Sequence, residues 1–222
     1  VIPERVLVEV RRYLKYKRDE RPVYVRIRCM DVLGLDKLRD RRPPDYSRSF
    51  VFVCFGNIMR SPMCEELMKR ALLRYPAVKV SVASAGLNAT PGRPAHPWSL
   101  AAAREFGVNL EHHGARLLTP DMVNQADVVF AMDYQNLVEL HCRYPHAKHK
   151  FFMLSGYAGN GYVSSEIRDP YYGDEQQTRS CYSILQTCIE NLVAALAKEA
   201  AQDASDANGT STGAVVRNVA SS

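Results

Sequence analysis

A three-layer α/β/α fold around a central four-stranded parallel sheet is predicted by three features of this 222-residue sequence. Short apolar runs alternate with amphipathic stretches between residues 50 and 199, the pattern of parallel strands joined by crossover helices. Two of the runs, at residues 50–55 and 127–132, are almost continuously apolar, as strands covered on both faces must be. The first run carries Cys54 near its end and passes through a short loop into a helix opened by Ser61 and Pro62. In sheets of this kind ligands bind beyond the carboxyl ends of the strands, where Cys54 falls.

Each element has its own warrant. The helix expected at residues 62–75 carries Met63, Leu67, Ala71 and Leu72 on one face. A second strand, at residues 78–85, ends in Ser84, Ala85 and Gly86, and a Pro- and Gly-rich loop at 87–97 leads to a helix at 98–106. Trp98 precedes the apolar run 100–103 and reads as a helix-start packing residue. Thr119 can cap a short helix whose first turn Pro120 suits. The strand at 127–132 is followed by a helix at 134–142, a last strand at 151–154 and a last helix at 178–199.

Composition narrows the class. With 46% apolar residues the chain can fill a sizeable core. It has no membrane-length apolar run and no signal-peptide core, so a soluble, cytoplasmic protein without a transmembrane segment is expected. Six irregularly spaced cysteines suit a reducing compartment rather than a disulfide framework. Zinc-ligand spacing, a Walker-type loop and internal repeats are all missing from the sequence.

Three segments follow: a basic extension at 1–48, a domain at 49–199 and a disordered tail at 200–222, rich in Ala, Ser, Asp, Asn, Gly and Thr. The net charge of +5 resides in the extension, which holds 14 Lys/Arg against 8 Asp/Glu. Within it Ile2, Val6, Val10 and Leu14 recur at helical spacing, although Val6, Val8 and Val10 also alternate as a strand would. Val23, Val25, Ile27 and Cys29 alternate with polar residues and favour a short half-buried strand, and residues 39–44 read as a linker. Such an arm suits an acidic partner or a membrane surface, with no nucleic acid expected; the plainer reading is a solvated, poorly ordered extension.

The chemistry is concentrated after the first strand. A cysteine at a strand end, facing loop N–H groups and a helix N-terminus, sits where the thiolate is favoured. Arg60 adds a planar fork matched to two phosphate oxygens. Gly56 and Asn57 are residue types that tolerate left-handed backbone, which turns several N–H groups toward one centre. Cys64 and Arg70 share the spacing of Cys54 and Arg60, but lie inside an amphipathic helix without a preceding strand or a glycine. A thiolate attacking a phosphate ester needs an acid for the leaving oxygen, and Asp169, restricted by Pro170 and flanked by Tyr171 and Tyr172, is the candidate. Taken alone, Asp-Pro is a common turn.

Five motifs in order, Cys54–Met63, Ser84-Ala85-Gly86, His113–Arg116, Phe130–Asp133 and Asp169–Gly173, resemble those of the low-molecular-weight protein tyrosine phosphatases. The resemblance covers residues 50–199 and implies hydrolysis of phosphotyrosine in proteins, a tyrosine kinase being one such protein, with no metal or other cofactor. It implies that Cys54 attacks phosphorus to form a phosphocysteine. Arg60 and the loop of Phe55, Gly56, Asn57, Ile58 and Met59 would bind the phosphoryl oxygens. Asp169 would serve as acid and then base, and Ser61 would donate to the sulfur. Ser84 and His113 would brace Asn57, and Phe55, Tyr171 and Tyr172 would wall the substrate ring. Outside the resemblance, His113 reads as a solvent-facing histidine; His96, His112, His141, His146 and His149 receive no role.

Many members of that family carry a cysteine where Met59 stands, able to trap the oxidised nucleophile, so Cys54 is expected to over-oxidise. The alternatives are an arsenate reductase, for which Cys181 and Cys188 lie about 10 Å apart along one helix, an arginine phosphatase, which places threonine where Ile58 stands, and a catalytically silent phosphotyrosine-binding scaffold.

Overall fold

The computed structural model describes residues 4–33, 42–159, 161–162 and 164–212. Four parallel strands, β1 (Ser49–Cys54), β2 (Ser81–Gly86), β3 (Val128–Ala131) and β4 (Phe151–Met153), form one sheet in the order β2-β1-β3-β4. The helices are α1 (Glu4–Lys15), α2 (Arg21–Val32), α3 (Arg60–Leu72), α4 (Pro97–Glu105), α5 (Pro120–Gln125), α6 (Tyr134–Arg143) and α7 (Glu175–Thr212). The chain leaves β1 for β2 on one side and returns to β3 on the other. This reversal opens a crevice at the carboxyl ends of β1 and β3.

Alternation along β1 builds both layers. Phe50, Phe52 and Cys54 enter the cluster shared with Met63, Leu67, Leu185 and Ile189 of α3 and α7. Val51 and Val53 point the other way, into the cluster of Leu137, Val138 and Val123 on α6 and α5. Asp127 ties the sheet's entrance together: its Oδ2 accepts from the backbone N–H groups of Arg48 and Ser49 at 2.8 and 2.9 Å. Thr119 caps α5 by accepting from Met122 N at 3.3 Å, with Pro120 in the first turn.

Two expectations are corrected. Residues 23–29 are not a strand but part of α2, whose buried residues Tyr24 and Ile27 lie three apart and dock on the α6 side of the sheet. Val25 and Cys29, which completed the apparent alternation, are exposed. Where disorder was expected from residue 200, α7 continues to Thr212, through alanines at 200, 201, 204 and 207 and then through weaker helix formers; residues 213–222 lie outside the described part. The ambiguous start of the chain is helical in α1, with Val8, Val10 and Leu14 exposed; Ile2 lies outside the described residues, as do 39–41 of the expected linker. The arm is packed rather than solvated: Tyr24 Oη donates to Glu9 at 2.7 Å, and Arg28 donates to Glu9 at 2.9 Å and to Tyr134 Oη at 3.0 Å. Among the described residues no helix is long and apolar enough to cross a membrane.

Candidate active site

At the end of β1 the backbone leaves the sheet and wraps residues 55–59 around the Cys54 sulfur. Asn57 N donates to Sγ at 3.3 Å, and Ser61 Oγ lies 3.0 Å from it. The turn is made by Asn57 alone, at φ 52°; Gly56 stays outside the left-handed region. Close approach is secured from β2, where a Cβ on Gly86 would stand 2.8 Å from Asn57 N and from Phe55 O. Met59 precedes α3 with no side-chain cap, so the first-turn N–H groups of a 13-residue helix are left toward the loop.

Hydrogen-bond polarity runs outward from Asn57. Its Nδ2 donates to Ser61 Oγ and to Ser84 Oγ, each at 2.9 Å, and its Oδ1 accepts from Arg116 N at 2.8 Å. The single Ser61 hydroxyl proton has two acceptors within reach, Cys54 Sγ at 3.0 Å and Ala85 O at 3.3 Å, while Ser84 spends its own on Glu65 Oε2 at 2.6 Å. His113 Nε2 meets Asn57 O at 2.6 Å, which makes that nitrogen the protonated one. Asn57, Ser61 and Ser84 are fully buried, and each hydroxyl orphaned there would cost about 1–3 kcal/mol.

Arg60 is 1% exposed and its guanidinium makes three hydrogen bonds: Nη1 with Asp133 Oδ2 at 2.6 Å and Ile167 O at 2.9 Å, Nη2 with Asp169 Oδ2 at 2.5 Å. Burial opposes the charge, but Asp133 and Asp169 outweigh it and hold the group well above its ordinary value. Asp133 divides its oxygens, Oδ1 accepting from Asn136 N at 2.8 Å as the N-cap of α6 while Oδ2 holds Arg60. The segment bearing Asp169 is pinned to the sheet by Ile167 N donating to Met132 O at 2.7 Å.

The remaining expected residues take different positions. Phe55, 45% exposed, lines a cleft of about 600 Å³ together with Asp169. Tyr171 is 36% exposed and rests edge-on against the His96 ring at 5.6 Å, whereas Tyr172 is 95% exposed. Ile58 and Met59 are buried against Ala89 and Ala115, with Trp98 packed on them, so Trp98 supports the loop as well as starting α4. Cys64 and Cys181 are buried, and burial pushes both thiols up, Cys181 to about 12.

Sequence reasoning missed several supports. Glu65 holds Ser84 and Arg116, Tyr182 Oη donates to Met59 O at 3.2 Å, and His96 caps α4 through Trp98 N at 3.2 Å while seating Tyr171. Burial first and then Arg93 lower the affinity of His96 for a proton, which suits an accepting Nδ1. Asp133 was legible only as an N-cap, since it stands between a strand and a helix, and not as the partner of Arg60.

The family model for low molecular weight phosphotyrosine protein phosphatase matches residues 49–202. A probable low molecular weight protein-tyrosine-phosphatase, AmsI of Erwinia amylovora, is 36% identical over 150 residues, covering 68% of this chain and 98% of that protein. The 1.57 Å crystal structure of the Erwinia amylovora tyrosine phosphatase AmsI is similar at TM-score 0.60 and 31% identity, covering 67% of this chain and 93% of that one. The YwlE arginine phosphatase of Geobacillus stearothermophilus is similar at TM-score 0.62 and 30% identity, covering 70% and 96%. With the strand–loop–helix around Cys54, the sheet order and these likenesses together, the chain belongs to the low molecular weight phosphotyrosine protein phosphatase family.

Proposed function

We propose that the protein hydrolyses phosphotyrosine in proteins, tyrosine kinases among them, in a reducing compartment such as the cytoplasm. The observation that carries this reading is the pairing of two adjoining sets: Asn57 and Ser61 both meet the Cys54 sulfur and bond each other, and Arg60, next to Ser61 in the chain, holds Asp169. Cys54 Sγ attacks phosphorus; the S–P bond forms as the P–O bond to the phenol breaks, and Asp169 gives its proton to the departing oxygen. The incoming phosphoryl group takes over Arg60 from Asp169, which frees the carboxyl to face the leaving group. Loop N–H groups and the Arg60 fork hold the equatorial oxygens, whose charge develops in the transition state. Water then attacks phosphorus, passes a proton to Asp169 and breaks the S–P bond, and inorganic phosphate leaves. Ser61, donating to sulfur, makes Cys54 the better leaving group.

The likeness to an arginine phosphatase favours a second reading, phosphoarginine hydrolysis by the same site. Ile58 weighs against it as a residue type: its apolar side chain, packed on Ala89, Ala115 and Trp98, offers a guanidinium no hydrogen-bonding group.

Turnover of p-nitrophenyl phosphate, a phosphotyrosine peptide and a phosphoarginine peptide by wild type, Cys54→Ser and Asp169→Asn tests the proposal. We expect no turnover by Cys54→Ser, a loss of about 10²–10⁴-fold in kcat for Asp169→Asn, and preference for phosphotyrosine. Wild-type rates in the serine variant sink the mechanism. Faster phosphoarginine hydrolysis moves the substrate, and tight phosphotyrosine binding without wild-type turnover makes the protein a scaffold.

A further inference from the structure

The cleft beside Asp169 and Phe55 has a second wall that residues 49–202 do not supply. Arg12, Lys15, Tyr16, Lys17 and Tyr24 of the N-terminal arm line it. The wall is held in place. Tyr24 and Ile27 are buried on the α6 side, Arg28 donates to Tyr134 Oη and Tyr134 bonds Asp31, and Arg12 pairs with Glu166 at 3.1 Å. Tyr134 follows Asp133 directly, so the arm is anchored one residue from the partner of Arg60. Tyr16, stacked on Tyr24 at 4.4 Å, adds an aromatic patch to the cleft.

Charge decides what such a cleft accepts. Its carboxylates are engaged: Asp133 and Asp169 by Arg60, Glu166 by Arg12, Glu139 by Arg143, and Glu20 by the Lys17 backbone N–H at 3.0 Å. Its cations are less so. Lys15 and Arg168 are exposed and pair with no carboxylate among the described residues, and the Lys17 ammonium reaches Glu20 only at 3.8 Å. A rim of three available cations beside a phosphate-binding loop is complementary to an extended segment carrying acidic side chains.

We infer that the arm is a substrate-reading wall: the segment flanking the phosphotyrosine lies in this cleft, and its acidic side chains are recognised by Lys15, Lys17 and Arg168. This rests on the phosphotyrosine reading above. The arm thereby sets which phosphoproteins are dephosphorylated, while the chemistry remains in the loop of Cys54.

The test uses the full chain and three phosphotyrosine peptides identical except for flanking Glu, Ala or Lys. Binding is measured by fluorescence anisotropy on Cys54→Ser, and kcat/KM on the active enzyme, each with Lys15→Gln/Lys17→Gln and Lys15→Glu/Lys17→Glu; p-nitrophenyl phosphate serves as the substrate without flanks. We expect the Glu peptide to be favoured about tenfold over the Lys peptide, as two or three exposed pairs allow, and the preference to shrink as salt is raised. The glutamine pair should level it and the glutamate pair invert it, with p-nitrophenyl phosphate turnover unchanged. Equal affinity for all three peptides, a preference untouched by the variants, or an equal loss toward p-nitrophenyl phosphate overturns the inference. So does lysine-dependent sedimentation with phosphatidylserine vesicles in place of any peptide preference. Since binding to Cys54→Ser needs no turnover, an inactive wild type would defeat the phosphatase reading separately.

Discussion

Met59 stands where the resemblance to the family implies a thiol in many members, and the described thiols nearest in the core are poorly suited to replace it. Met59 is buried against Ile58, Ala89 and Ala115, and the thiols of Cys64 and Cys181, in the same apolar cluster as Cys54, are pushed up by burial. A resolving thiol attacks an oxidised cysteine as the thiolate, so neither is equipped for it. Peroxide converts the Cys54 thiol to sulfenic acid with release of water, and further peroxide carries it to sulfinic acid. We expect mild peroxide to abolish activity and dithiothreitol to restore only a minor part, with a mass gain of two oxygens on the Cys54 peptide; full recovery would contradict this. Cys54, Arg60 and Asp169 were legible as residue types in a strand–loop–helix pattern. The roles of Glu65, Asp133 and Tyr182 were not, since their partners lie from 19 to 123 residues away and only folding brings them together.

Among the elements, β1 and β3 depend on a junction outside the apolar core. The backbone hydrogen bond from Arg48 first, opposed by partial burial and supported by Ser49, lowers the proton affinity of Asp127. A carboxyl whose folded value lies below its unfolded one stabilises the fold above about pH 4, and this is lost as pH falls through the lower folded value. Asp127→Asn should therefore cost about 1 kcal/mol at neutral pH, kept small by exposure of the site to solvent. That is about 2–4 °C in Tm for a chain of this size. In thermal scans the gap to wild type should close as the pH falls through the lowered folded value; a gap constant with pH would remove the ionised carboxylate from the account. The period-two alternation at residues 23–29 was misleading, whereas β1 was identified by a continuous apolar run. In β1 both faces meet a partner, whereas α2 buries Tyr24 and Ile27 on one side, with Val23 partly buried against the same cluster, and that difference resides in α6.

For the molecule as a whole, α1 is held on α2 largely through polar groups centred on Glu9, and acid should loosen it first. Burial would raise the proton affinity of Glu9, but hydrogen bonds from Arg28 and Tyr24 and the charges of Arg28 and Arg12 lower it on balance. Its contribution is present above about pH 4.5 and lost as pH falls through the depressed value. Glu166, raised mainly by burial, works in the opposite direction and does not drive this release. Amide exchange, corrected for its intrinsic pH dependence, should show protection of α1 falling before that of β1 and β3, and Glu9→Gln should show the loosening at neutral pH. Simultaneous loss of protection would make the arm and the domain one cooperative unit.

By itself the sequence determined the alternating sheet and the strand–loop–helix turn at Cys54, and it singled out Arg60 and Asp169 as candidates, because periodicity, turn residues and strand-end position are local properties. Tertiary structure decided the rest. It chose helix over strand for residues 21–32, extended α7 past residue 200, turned Arg60 onto two aspartates and laid a basic arm along the cleft. Each of these outcomes is set by which distant surface a segment meets, and burial and charge pairing against that surface outweigh small differences in local propensity.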